Sequence, residues 1–133
     1  MVLGQTGWLV RGIPFTEVSE SGGIKSSAFN TQRLSCSFLH LVTVESFVAR
    51  GTFQMVSAIP SNLVISLGLA IVLLPETGDP FHVEIPMEHL GNAARKRVAK
   101  ELRDRAELAC VPVSGSAAEV YEALLARCSG SGE

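Results

Sequence analysis

The chain has 133 residues, of which 47 % are hydrophobic and 18 % charged, with a formal net charge of −2. Such a composition excludes a disordered polymer, and the slight negative balance excludes a global field that would draw the molecule onto nucleic acid or an acidic membrane. The length suits one domain, able to bury roughly two thirds of its unfolded surface without staples. Cys36, Cys110 and Cys128 are odd in number and show no C-x-x-C spacing, which reads as free thiols in a reducing compartment. The N-terminus lacks the basic and apolar segments of a secretory signal, so a cytoplasmic protein is expected.

In chain order, residues 7–14 read as a first strand ended by glycine and proline. Residues 16–25 carry Glu17, Glu20 and Ser21-Gly22-Gly23, the composition of a solvent loop. Residues 26–31 read as a short extended piece, and 34–42 alternates imperfectly, as a strand along all or only the first part of its length. Thr43 predicts an N-cap for a helix over 44–50, with an acid early, a base late and Gly51 behind it.

The 25 residues from Gly51 to Pro75 contain no charge, so they must be hidden. Interruption by Gln54, Ser57, Pro60-Ser61-Asn62, Ser66 and Gly68 argues against a membrane helix and for buried core. The run divides into a strand over 53–58, a helix opened by Pro60-Ser61 and stopped at Gly68, and a central strand over 69–74, with a single helix over 63–74 as the opposing reading. The turn at 75–80 leads into an alternating strand over 82–87.

Residues 88–109 predict a long helix with Ala94, Val98, Leu102, Ala106 and Ala109 as its buried stripe. Pro112 and Ser114-Gly115 end it. Ser116 and Glu119 form a capping box for a last helix facing inward through Val120, Ala123, Leu124 and Cys128. Residues 129–133 read as a flexible tail beyond a single 1–128 domain.

Three groups of side chains can carry chemistry. Six of the eleven Lys and Arg residues lie between Arg95 and Arg105, and Lys96, Lys100 and Arg103 share a face that can meet phosphates. Glu101, Asp104 and Glu107 are interleaved with them, the pattern of a solvated, ion-paired surface, which is the favoured reading. His82 and Glu84 alternate on one strand face, where a carboxylate beside an imidazole can serve proton transfer, although an exposed edge strand explains the pair as well. His89 extends the pair towards a metal site only with poor spacing, and no metal or cofactor is expected. Ser35 and Cys36, with His40 nearby, lack a convergent base and acid, so Cys36 reads as a buried thiol.

The order Arg11, then Ser26-Ser27, then Glu84 resembles that of ADP-ribosyltransferases of the arginine, serine, glutamate type. The resemblance implies a candidate catalytic set of Arg11, Ser27 and Glu84, with His82 nearby; the paired acidic or glutamine motif around the family's final glutamate is missing here, where Glu84 stands alone. Separately, Arg11-Gly12-Ile13-Pro14, Ser26-Ser27-Ala28-Phe29, Leu34-Ser35, residues 43–50 and Asp79-Pro80-Phe81-His82 resemble a group of small uncharacterised bacterial α+β proteins over residues 9–85. That resemblance implies an element order and no activity. Ser37 stands where those proteins often place an acid, and the two C-terminal helices lie outside the match.

The expected fold is therefore α+β, a mixed or antiparallel sheet of about five strands with the two C-terminal helices on one face. The expected role is a non-catalytic binding or protein-interaction module. The apolar excess points to a homodimer or a protein partner. An enzyme of the ADP-ribosyltransferase kind and nucleic-acid binding through 95–105 are the alternatives, and membrane association is not expected.

Overall fold

Alternation along the first strand sets the plan of the molecule. In β1 (Trp8–Pro14), Leu9 and Ile13 join one apolar cluster and Val10 joins another, because successive side chains leave a strand on opposite sides. The computed structural model describes residues 7–130. Their other strands are β2 (Arg33–Phe38), β3 (Phe53–Pro60), β4 (Val72–Leu73), β5 (His82–Pro86) and β6 (Cys110–Pro112). They form one antiparallel sheet in the order β4-β5-β2-β1-β3-β6.

Four helices join this sheet among the described residues: α1 (Leu41–Arg50), α2 (Ser61–Ser66), α3 (Asn92–Ala106) and α4 (Ala117–Gly130). The α+β class is as expected, with the C-terminal helices packed on the sheet. The apolar clusters also settle their sides. Ala99, Leu102 and Ala106 of α3 pack with Leu9, Ile13, Leu34 and Ile85, whereas Val120 and Leu124 of α4 pack with Val10, Val56, Val44 and Phe47. The two C-terminal helices therefore lie on opposite faces rather than together, with α1 beside α4.

Several local signals operate as read. Gly51 closes α1 in the left-handed region at φ 69°, and Gly68 follows α2 at φ 80°. Ser116 N donates to Glu119 Oε1 at 2.8 Å while Glu119 N donates to Ser116 Oγ at 3.2 Å, a complete capping box. The Ser116 backbone N–H and, after it, the Ser116 hydroxyl hold the Glu119 carboxyl below its ordinary value.

Other readings change. Residues 26–29 form a 3-10 turn instead of an extended piece, with Ala28 and Phe29 driven into the core. His40 caps α1, its Nδ1 accepting from Val42 N at 3.1 Å, and Thr43 is buried inside the helix. The expected central strand over 69–74 shrinks to β4, a two-residue edge: Leu69 and Ile71 are consumed by the core before Val72 and Leu73 reach β5. An apolar run reports burial, and pairing is only one way to achieve it. The third helix begins at Asn92 rather than Glu88, and residues 110–112 form the unexpected β6 against β3. Ser129 and Gly130 belong to α4, while 131–133 and the N-terminal residues 1–6 lie outside the described residues. No helix among the described residues is long and apolar enough to cross a membrane.

A candidate binding cleft where two strands part

β1 and β3 stay paired from Trp8 to Pro14, but β1 and β2 pair only at Leu9 with Phe38 and Val10 with Ser37. Past Val10 the two central strands part, which releases backbone carbonyls that need donors. Arg11 fills the gap: its Nη1 donates to Ser35 O of β2 at 2.6 Å and its Nε to Ala28 O of the 26–29 turn at 2.9 Å. Both acceptors are neutral, so the guanidinium keeps its charge uncompensated.

A cleft of about 360 Å³ opens at this parting, within the size range of small-molecule sites. One side is apolar. Phe47 of α1 and Phe53 of β3 meet edge to face with centroids 5.3 Å apart, and the Arg50 guanidinium lies 5.9 Å from the Phe53 ring centre. Gly12 makes that wall possible, since a Cβ there would come within 2.6 Å of the Phe53 ring.

The other side is polar and comes from the turn after β4. Asp79 is 2 % exposed; it accepts from Ser37 Oγ at 2.5 Å and from Phe81 N at 3.2 Å. His82 Nδ1 lies 2.9 Å from Leu74 O and 3.7 Å from Glu76 Oε2. A carbonyl can only accept, so Nδ1 carries the proton and a neutral ring keeps its lone pair on Nε2. Phe81 stacks on His40 at 4.4 Å, tying the turn to the start of α1. Cys36 also borders the cleft, but its side chain belongs to the apolar core on the other face of β2, and burial pushes the thiol up to about 11, with Arg11 pulling the other way.

Of the side chains singled out in the sequence, Arg11 and His82 share this cleft. Ser27 and Glu84 are not among its lining residues: Ser27 Oγ donates to Glu17 Oε1 at 2.6 Å, and Glu84 pairs with Arg33 at 3.4 Å. His82 is also buried on an interior strand, between β4 and β2, rather than exposed at an edge. His89 is exposed beyond β5, and no group of three or more His, Cys, Asp or Glu side chains among the described residues can hold a metal. On α3, Lys100 and Arg103 both bind Asp104, at 3.1 and 2.7 Å, which holds that carboxyl below its ordinary value, and Arg103 also donates to Ile24 O. Lys96 is exposed.

Sequence reasoning missed Ser37, Arg50, Glu76 and Asp79. Asp79 reads in sequence as a turn former, and nothing local announces that the pairing of β2 with β5 sets Ser37 opposite His82 and beside the turn. No family model matches the chain, and neither curated proteins nor solved structures show a significant similarity to it.

Proposed function

We propose that the chain is a non-catalytic binding module whose ligand is a small polar molecule held in the cleft between β1, β2 and the 74–82 turn. The observation that carries this reading is the pair of arginines. Arg11 and Arg50 both line the cleft, and among the described residues neither forms an ion pair with a carboxylate. A positive charge held on neutral carbonyls and an aromatic face is a standing attraction for an anionic group. The nearby nucleophiles argue against catalysis: Ser37 spends its proton on Asp79, and Cys36 stays protonated at neutral pH.

The reading is tested by amide chemical-shift mapping against a mixture of small carboxylates, amino acids, dipeptides and sugar phosphates. Perturbations should concentrate on β1, β2 and residues 74–82, and Arg50→Gln should weaken them with the spectrum otherwise kept. Millimolar ligands that leave those amides unmoved while shifting α3 instead would overturn it.

A further inference from the structure

We propose that the cleft takes a zwitterion of dipeptide length, with its carboxylate at the arginine end and its ammonium at the Glu76 end; this rests on the binding-module reading above. The cleft is electrically two-ended, and the strand register spaces the residues that anchor its ends. Ser37 pairs with Val10 and His82, so Asp79, bonded to Ser37, and Glu76, next to His82, mark one end. Arg11, bonded to Ser35, and Arg50, over the Phe53 ring that covers Gly12, mark the other. Ser35 and Ser37 are two residues apart along β2, about 7 Å at ~3.4 Å per strand residue. An extended chain of two residues spans about the same, ~3.3–3.6 Å each.

The chemistry of each end fits one charge. Guanidinium groups accept a carboxylate as a planar partner. Glu76 is half exposed and Asp79 uses only part of its acceptor capacity on Ser37 and Phe81, so both have lone pairs for an ammonium, whose three protons need acceptors. A simple anion would satisfy the arginines and leave the acid end unused. Phe47 and Phe53 flank the arginine end, so the residue carrying the carboxylate should bear an apolar side chain.

Isothermal titration calorimetry at low ionic strength separates these ideas with glycylleucine, leucylglycine, glycylleucinamide, N-acetylglycylleucine and acetate. Glycylleucine should bind most tightly. Removing either charge should weaken it by about tenfold, the worth of one charge-assisted hydrogen bond, and leucylglycine should fall below it. Arg50→Gln should narrow the difference between glycylleucine and its amide, and Glu76→Gln the difference between glycylleucine and its acetylated form, with Arg11 and Asp79 holding what remains. Both side chains are exposed, so the variants should fold. Acetate or the acetylated peptide binding as well as glycylleucine would overturn the zwitterion while leaving an anion-binding cleft. Failure of every peptide while another class in the mixture shifts the cleft amides would overturn it as well, and silence from all small molecules would overturn both proposals.

Discussion

The two halves of the sheet are built differently. The half made of β6, β3 and β1 is covered on both faces: Leu9, Ile13 and Ile59 pack in the cluster that includes α3, and Val10, Val56, Ala58 and Val111 pack beneath α1 and α4. The half made of β2, β5 and β4 has a helical layer on one face only, its other face being closed at Ser37 and His82 by the 74–82 turn. Leu34, Cys36, Val83 and Ile85 enter the core, while Ser35 and Glu84 on the other side remain accessible to water. The cleft lies at the boundary, where the second helical layer stops and the strands beneath it part. A sheet with one bare face must make that face polar, and a polar face beside a wall of aromatic side chains is where a ligand can find both kinds of contact.

The sharpest way to break this comparison is to truncate the second layer. Leu124→Ala in α4 should cost about 2–5 kcal/mol in urea denaturation, since its side chain is fully buried. Ser35→Ala, on the bare face, should stay within about 0.5 kcal/mol. Similar costs for the two would mean that the halves are not distinct.

A second test uses the covered face beneath the bare one. The Cys36 thiol titrates near 11 in the fold against an ordinary value of 9.0. Its folded value is raised, so its contribution to stability is complete below about pH 9 and is lost as pH climbs towards 11, by roughly 2–3 kcal/mol at ~1.4 kcal/mol per unit. Replacing it in Cys36→Ala should flatten that part of the pH profile by the same amount; an unchanged alkaline slope would show that Cys36 is not sealed in the core.

The third test addresses the boundary itself. Gly12→Ala places a Cβ 2.6 Å from the Phe53 ring, and displacing the ring should cost about 1–3 kcal/mol. Phe53→Leu in the same chain should recover most of that loss, as measured by thermal or urea unfolding, because the shorter side chain yields the space. A full penalty in the double variant would place the strain elsewhere.

What the sequence by itself determined is what short-range physics controls. Ser116 and Glu119 announce a capping box because the bonds close within one turn. Gly51 and Gly68 mark helix ends because a left-handed residue follows a helix without cost only when it has no side chain. The alternation at 82–86 and the stripe through Leu102 and Ala106 follow from the periods of strand and helix. Only the tertiary structure decided that the charge-free run ends in an edge strand of two residues, that α3 and α4 take opposite faces, and that Ser37, Asp79 and His82 converge with Arg11 and Arg50 on one cleft. Arg11 and His82 are legible in the sequence as charged or titratable residues on strands. Arg11 finds its acceptors 17 and 24 residues along the chain and His82 meets Ser37 only through the pairing of β5 with β2, and which carbonyls Arg11 must satisfy follows from a parting of β1 and β2 that no local pattern encodes. Periodicity states which side of an element is buried; the partner on that side is chosen by the register and layering of the whole chain, which depend on every other element at once.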